Sequence, residues 1–194
     1  MIKITIITPC SRPYNLDKIY ESLNFDYIDE WIIVYDAKVV NPLQEKFKSN
    51  TYAHKIKEFI YTEDNCSWGN AQRNYGMSVV KNNDTYIYFL DDDNIIHSNL
   101  YNFLARVESP ATDKDKKIYT FIQNNQGHFS TGDRLYVGGL DTALFLIHID
   151  LCKDIKWDIS RHEADAIFFL TCYNNNKDKH IYIEEELCYY NYLR

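Results

Sequence analysis

The residues with the most chemistry to offer are Asp91-Asp92-Asp93, an unbroken run of carboxylates in a chain of 194 residues. Three adjacent negative charges repel one another unless water, Arg or Lys groups, or a metal offsets them. A hard divalent cation is the simplest offset. In an extended chain Asp91 and Asp93 point one way and Asp92 the other. Two carboxylates on one side can share Mg²⁺ or Mn²⁺, ions that prefer oxygen ligands and usually keep waters and substrate phosphates in their shell. A solvated acidic turn explains the same letters. An EF-hand does not, because Ile96 stands where that loop needs Gly and Asn102 where it needs Glu.

Other groups could work with this cluster. Arg73 falls in the first turn of a helix expected over residues 69–81, where a cation opposes the macrodipole. Something must hold it there: a phosphate, with Asn74 beside it, or a salt bridge to Asp64 or to the aspartates. Gly69 before it permits close backbone approach. Ser11-Arg12-Pro13 follows a first strand, so Arg12 is either a nucleotide contact or a solvated turn residue. Asp36 ends a second strand, as an acceptor for a base or ribose or as a plain turn. Ser160 to Glu163 matches the capping box S-x-x-E. That explains Glu163 structurally and leaves Asp165 the better general base. Gly138-Gly139 and Asp141 read as a sugar-contacting loop or as an ordinary β-turn. His97 and His162 read as ordinary histidines, and Trp68 and Trp157 as stacking or core residues.

These groups need a scaffold that brings strand ends together. Residues 2–8 (IKITIIT), 31–35 (WIIVY), 57–61 (KEFIY) and 85–90 (TYIYFL) are apolar runs rich in β-branched and aromatic residues. Helical periodicity separates them, with Leu16, Ile19, Tyr20 and Leu23 after the first and a short helix around residues 43–47. Leu100, Phe103, Leu104 and Val107 follow the fourth, behind Ser98 as N-cap. Alternating strands and helices predict right-handed βαβ units and a mostly parallel sheet, with the aspartates at the carboxyl edge where such sheets bind ligands. The second half is less regular. Residues 118–123, 135–137, 143–149 and 180–190 are expected strands, 124–133 a mobile flap, and 160–173 a last helix.

Bulk properties narrow the class. With 45% apolar and 25% charged residues the chain is globular, and its net charge of −7 argues against a nucleic-acid surface. The five cysteines are odd in number and scattered, without zinc or disulfide spacing, which suits the cytoplasm. No run approaches the ~20 apolar residues of a membrane span.

The segments ITIITPCSRP at 4–13, VYD at 34–36, WGNAQRNYG at 68–76, YFLDDDN at 88–94 and EADAIFF at 163–169 resemble, in order and spacing, the GT-A glycosyltransferases of family-2 and glucuronyltransferase-like type. The resemblance implies an α/β fold with a Rossmann-type, mostly parallel sheet flanked by helices and a small antiparallel addition in the C-terminal half. It implies one domain over 1–194, with a nucleotide-binding half at 1–110 and a sugar and acceptor half at 111–194. It also implies that Thr8, Pro9 and Arg12 line the nucleotide pocket, that Asp36 faces the base and that Arg73 lies near the nucleotide. Within the D-x-D element Asp93 would hold Mn²⁺ or Mg²⁺, Asp91 would help from the ribose side, and Asp92 would border the nucleotide while turning away from the metal. Gly139 and Asp141 would meet the sugar. The family's catalytic carboxylate matches Asp165. Ala164 interrupts the usual adjacent Glu-Asp pair, so Glu163 also stays a candidate.

The expected activity is transfer of a sugar from a nucleoside diphosphate donor, a UDP-sugar in the family's pattern, to a hydroxyl of a glycan or other acceptor, with inversion. One rival is a D-x-D-x-T phosphatase or a nucleotidyltransferase; Ile95 after a fourth strand does not fit the phosphatase. The other is a nucleotide-sugar or carbohydrate-binding module without turnover.

Overall fold

The computed structural model describes residues 1–39, 45–49, 51–63 and 68–194. Its frame is one eight-stranded sheet. The first half supplies β1 (Ile4–Cys10), α1 (Leu16–Glu21), β2 (Ile28–Asp36), α2 (Glu45–Lys48), β3 (Ile56–Tyr61), α3 (Asn70–Val79), β4 (Tyr86–Phe89) and α4 (Ser98–Arg106). The second half adds β5 (Ile118–Asn125), β6 (His128–Thr131), β7 (Phe145–His148), α5 (Ala164–Asn175) and β8 (His180–Tyr189).

Strand order is β3-β2-β1-β4-β7-β5-β6, with β8 on the other edge of β5. The first four strands are mutually parallel. Strands β1, β2 and β4 are buried almost throughout, which is why their sequences lack the alternation of a half-exposed strand. β7 joins β4 antiparallel, and β5 and β6 continue that way, while β8 returns parallel to β5. The chain moves outward from β1 to β3 and then crosses back to β4. That reversal opens a crevice beyond the carboxyl ends of β1 and β4.

α3 covers this region. Gly69 precedes it at φ 80°, a left-handed conformation that suits glycine, and a Cβ there would lie 2.8 Å from Pro9. Gly76 has a different role. A Cβ at this position would lie 2.5 Å from Cγ2 of Ile7, so the missing side chain lets α3 sit against β1 and brings Arg73 over the strand end.

Several expectations need correction. β1 runs on through Pro9 and Cys10 instead of breaking at Pro9. His97, not Ser98, caps α4, through Nδ1 accepting from Asn99 N–H at 3.2 Å. Residues 124–133 are no flap, because β5 and β6 pair there as a hairpin around Gly127. Residues 135–137 form turns, held by the Tyr136 and Gly139 amides, in place of a strand. Part of 143–149 is a 3₁₀ turn, leaving a short β7. α5 starts at Ala164 because Ser160 spends its N–H and hydroxyl on Asp158, so the 160–163 capping box does not form. The helix expected around 43–47 overlaps α2, but residues 40–44 lie outside the described residues.

Gly76→Ala sets two effects against each other. Helix propensity favours Ala by ~1 kcal/mol, whereas a methyl forced against the stiff Ile7 side chain costs about 1–3 kcal/mol. We expect a net loss near 1 kcal/mol in urea unfolding. In an Ile7→Ala background, where Cγ2 is gone, the same substitution should instead stabilise.

Candidate active site

A cavity of about 410 Å³ lies at the carboxyl edge of β1, β2 and β4. Pro9 to Arg12 and Asp36 border it from the first two strands, Asp91 to Asn94 from the end of β4, and Gly69, Asn70, Gln72 and Arg73 from the start of α3. Asp141, Thr142, His162 and Asp165 close it from the second half, and Tyr190, Asn191 and Arg194 from the chain beyond β8.

The aspartates are offset by arginines. Beyond β4 the chain turns at once, with Asn94 N–H donating to the Asp91 carbonyl at 3.0 Å, so strand alternation does not govern where these carboxylates point. Asp92 is buried, 2% exposed, and its Oδ2 accepts from the N–H groups of Ser11 at 2.6 Å and Arg12 at 2.7 Å. Its Oδ1 takes the Arg12 guanidinium through Nε at 2.8 Å and Nη2 at 2.5 Å. Asp92 is thus the clamp of the Ser11-Arg12 turn, with two charge-assisted guanidinium hydrogen bonds converging on one oxygen, and its carboxylate is committed to the protein, not to a nucleotide. Arg12, expected as a ligand contact or solvated residue, spends much of its charge here.

Asp91 accepts from Arg73 Nη2 at 2.5 Å. Arg73 is otherwise held by the Trp68 carbonyl and Asn70 Oδ1 through Nη1 and lies 4.8 Å over the Trp157 ring. The salt-bridge explanation of its position is therefore present, to Asp91; Asp64 lies outside the described residues. Its Nε is buried without a hydrogen-bond partner, as is Oε1 of Gln72, the residue before it. Asn74 does not face the site, because it brackets Trp157 through that residue's N–H and carbonyl.

Asp93 meets two cations. Arg12 Nη2 is 3.0 Å and Arg194 Nε 2.6 Å from its Oδ2, yet neither N–H is aligned, so this buried oxygen has no hydrogen bond. Burial, with the neighbouring Asp91 charge, raises the Asp93 pKa against the lowering by the two arginines. Among the described residues no group of three or more His, Cys, Asp or Glu forms a ready-made metal cage. Two carboxylates with an unbonded buried oxygen nevertheless fit Mg²⁺ or Mn²⁺, which often take only one or two protein carboxylates and complete their shell with substrate phosphates and water. Arg194 is held at this oxygen by the strap behind it: Leu193 N–H donates to the Asp93 carbonyl at 2.8 Å and Tyr192 N–H to Asn94 Oδ1 at 3.1 Å.

The remaining candidates divide. Thr8 is not in the lining; its hydroxyl, fully buried, accepts from Trp31 Nε1 at 3.0 Å and serves the core. Pro9 and Asp36 do line the cavity, Asp36 with Oδ1 turned to the Lys38 N–H at 2.8 Å. Asp165, in the first turn of α5, has Oδ1 accepting from Ala166 N–H at 2.7 Å, and burial raises its pKa. Glu163 is exposed, outside the first cavity, on the border of a second of about 390 Å³. Gly139 also borders only the second. Asp165, Asp141, His162 and Tyr190 border both. Asp141 is pushed up to about 6 by burial and by the Asp91 and Asp165 charges. Sequence reasoning missed Gln72, although it stands inside the 68–76 segment, and Tyr190 and Arg194, which carry no local motif, and it treated His162 as an ordinary histidine.

No protein-family model matches the sequence, and no curated protein matches it. Solved structures do match in shape. Residues 1–349 of S. aureus TarS superpose with a TM-score of 0.70 at 14% identity, covering 97% of this chain and 60% of that one. The mannosyltransferase PcManGT of Pyrobaculum calidifontis, in complex with GDP-Man and Mn²⁺, gives 0.68 at 10% identity, covering 97% and 56%. Glucosyl-3-phosphoglycerate synthase of Mycobacterium tuberculosis, in complex with Mn²⁺, UDP and phosphoglyceric acid, gives 0.58 at 10% identity, covering 96% and 70%. The fold is GT-A-like. The chain spans little more than half the length of the first of these neighbours.

Arg12→Met would leave the Asp92 charge buried with only Ser11 and backbone donors. Breaking a buried pair from one side costs about 3–5 kcal/mol, and because Arg12 keeps some exposure we expect about 3 kcal/mol by urea unfolding. Arg12→Met combined with Asp92→Asn should recover part of that loss, which a double-mutant cycle reads as coupling.

Proposed function

We propose that this chain is a glycosyltransferase that moves a sugar from a nucleoside diphosphate sugar to an acceptor hydroxyl with inversion at the anomeric carbon. The observation that carries this is the position of Asp165 on the wall shared by two cavities, one rich in arginine and the other without it. A diphosphate suits the first, which gathers Arg12, Arg73 and Arg194. An acceptor suits the second.

Asp93, with Asp91 beside it, would hold Mn²⁺ or Mg²⁺, and that cation when bound would neutralise charge on the diphosphate as it departs. Arg73, on the cavity lining, supplies a fixed positive charge on the same side. Arg194, more than half exposed, can exchange Asp93 for phosphate as the donor enters. Pro9 and Asp36 border the same cavity from the ends of β1 and β2, and we assign the base and ribose to that side of it. UDP-sugars are the first donors to test, followed by GDP-sugars.

Asp165 is the general base of this reading. Its attachment to the Ala166 amide fixes one oxygen at the head of α5, and its place between the cavities lets it take the proton of an incoming hydroxyl as that oxygen attacks the anomeric carbon. Attack from the acceptor side with departure toward the arginines is in line, which gives inversion. Glu163, exposed and away from the first cavity, is not needed for this step. The described cysteines, Cys10, Cys152, Cys172 and Cys188, are buried free thiols, which fits the cytoplasm as the working compartment. No helix among the described residues is long and apolar enough to cross a membrane.

A thermal-shift screen of UDP- and GDP-sugars with and without Mn²⁺ tests donor and cation together, since a ligand of the folded state raises its melting temperature. We expect a donor shift that grows with Mn²⁺ and whose Mn²⁺-dependent part is lost in Asp93→Ala. A screen in which Mn²⁺ changes nothing for any donor overturns the metal assignment.

Asp165→Asn should retain donor binding and lose transfer by about 10²- to 10⁴-fold, the usual worth of a general base. The base works ionised, and its pKa is raised. The acid limb of the kcat/KM profile should therefore sit above the ordinary ~4 of Asp, with activity falling as pH drops through it. Asp165→Asn activity that matched the unsubstituted chain would reject the assignment.

A further inference from the structure

The second cavity carries more information than its location. Its walls come from the β5–β6 hairpin (Gln123, Asn125, Ser130), the Gly138–Asp141 turn and the approach to α5 (Glu163, Asp165). No Lys or Arg lines it among the described residues. The arginines that border the first cavity, Arg12, Arg73 and Arg194, do not reach this one. Charge is therefore divided by the wall that carries Asp165.

The polar groups here suit hydroxyls. Gln123 is 3% exposed, and its Nε2 is anchored on Asp141 Oδ2 at 3.2 Å and the Tyr189 carbonyl at 3.3 Å. That fixes the amide and leaves its acceptor oxygen for a ligand, with Asn125 and Ser130 on the same hairpin. Carboxylates, amides and hydroxyls together both accept from and donate to neutral sugar hydroxyls. Outside the lining, the Tyr136 ring lies against the wall residue Gly139, where a Cβ would come 2.9 Å from Cζ, and the residue is 56% exposed. A flat aromatic face of this kind suits the apolar C–H face of a pyranose.

We infer that the second cavity is an acceptor subsite for a neutral, polyhydroxylated acceptor, a sugar unit, and that it discriminates against phosphorylated or carboxylated ones. An anionic acceptor would have to bring its charge beside Asp141, Glu163 and Asp165, where no Lys or Arg stands among the described lining residues and His162 is the one basic side chain to receive it. This inference rests on the transfer reading above, but binding alone tests it.

Saturation-transfer NMR on the full chain, with UDP and diamagnetic Mg²⁺ present to fill the first cavity, would compare matched pairs: glucose with glucose 6-phosphate, and N-acetylglucosamine with its 6-phosphate. We expect at least one neutral sugar to bind, about tenfold or more tighter than its phosphate, a difference that like-charge repulsion near a protein surface readily supplies. Tyr136→Ala should weaken the neutral sugar. Ser130→Lys or Asn125→Lys, either one checked for an unchanged melting profile, should narrow or invert the preference. Equal or tighter binding of the phosphates, no binding of either class, or a ratio unmoved by the added lysines would overturn the inference. Failure of the transfer reading itself shows elsewhere, as absence of donor-dependent stabilisation in the thermal-shift screen.

Discussion

The site depends on the balance between three carboxylates at the end of β4 and the guanidiniums around them. Each aspartate meets a cation supplied by a distant part of the chain: Asp92 by Arg12 from the end of β1, Asp91 by Arg73 from α3, and Asp93 by Arg12 and Arg194. These pairs are not interchangeable. Asp92 has five donors and is sealed, so its contribution is structural, fixing the Ser11-Arg12 turn against β4. Asp93 has two cations close by and no aligned hydrogen bond, an arrangement that holds charge without satisfying it. A buried ion left in that state is costly, and a ligand that completes it gains what the protein alone does not.

The same logic extends across the cavity. Asp93, Asp141 and Asp165 all have pKa values raised, in each case first by burial. A carboxyl whose pKa is higher folded than unfolded contributes stability only below its unfolded pKa, and loses it as pH rises through the folded value. At neutral pH these groups therefore tax the empty protein. The tax is tolerable because the sheet behind them is buried along β1, β2 and β4 and because Gly76 lets α3 pack directly on Ile7. Strain of this kind at a strand edge marks a place kept for ligands.

The parts of this arrangement visible in the sequence are those with local causes. The buried strands announce themselves as apolar runs, and the D-x-D element, Arg73 and Asp165 stand at positions where turn, helix start and strand end can be read directly. The misread parts turn on long-range partners. The resemblance implied Thr8 as a pocket residue, but Trp31 from the neighbouring strand claims its hydroxyl. Ser160 to Glu163 has the letters of a capping box, and Asp158 outcompetes the helix for Ser160. Residues 124–131 lack the apolar alternation of a hairpin, and their order comes from β5 lying between β8 on one edge and β6 and β7 on the other. Asp92 was assigned by strand alternation, which ends one residue too soon.

Arg194 shows most clearly why local reading stops where it does. Nothing in its neighbours, Tyr192 and Leu193, suggests a site. What brings it there is topology: β8 runs parallel to β5, a bridge from Cys188 to Ile96 pins its end beside the chain leaving β4, and the segment after it turns back along Asp93 and Asn94. The cation is thus delivered by backbone hydrogen bonds rather than by a motif, and its side chain, 58% exposed, is held by one contact only. A buried guanidinium such as Arg73 is fixed by three partners and the Trp157 ring, and moves little. Arg194 is the cation most readily exchanged, because its own side chain is more than half exposed while Arg12 and Arg73 are tied to further partners. The acidic pocket therefore has two cations built into its wall and a third that a ligand can replace, and that third one sits on the oxygen that a divalent ion would need.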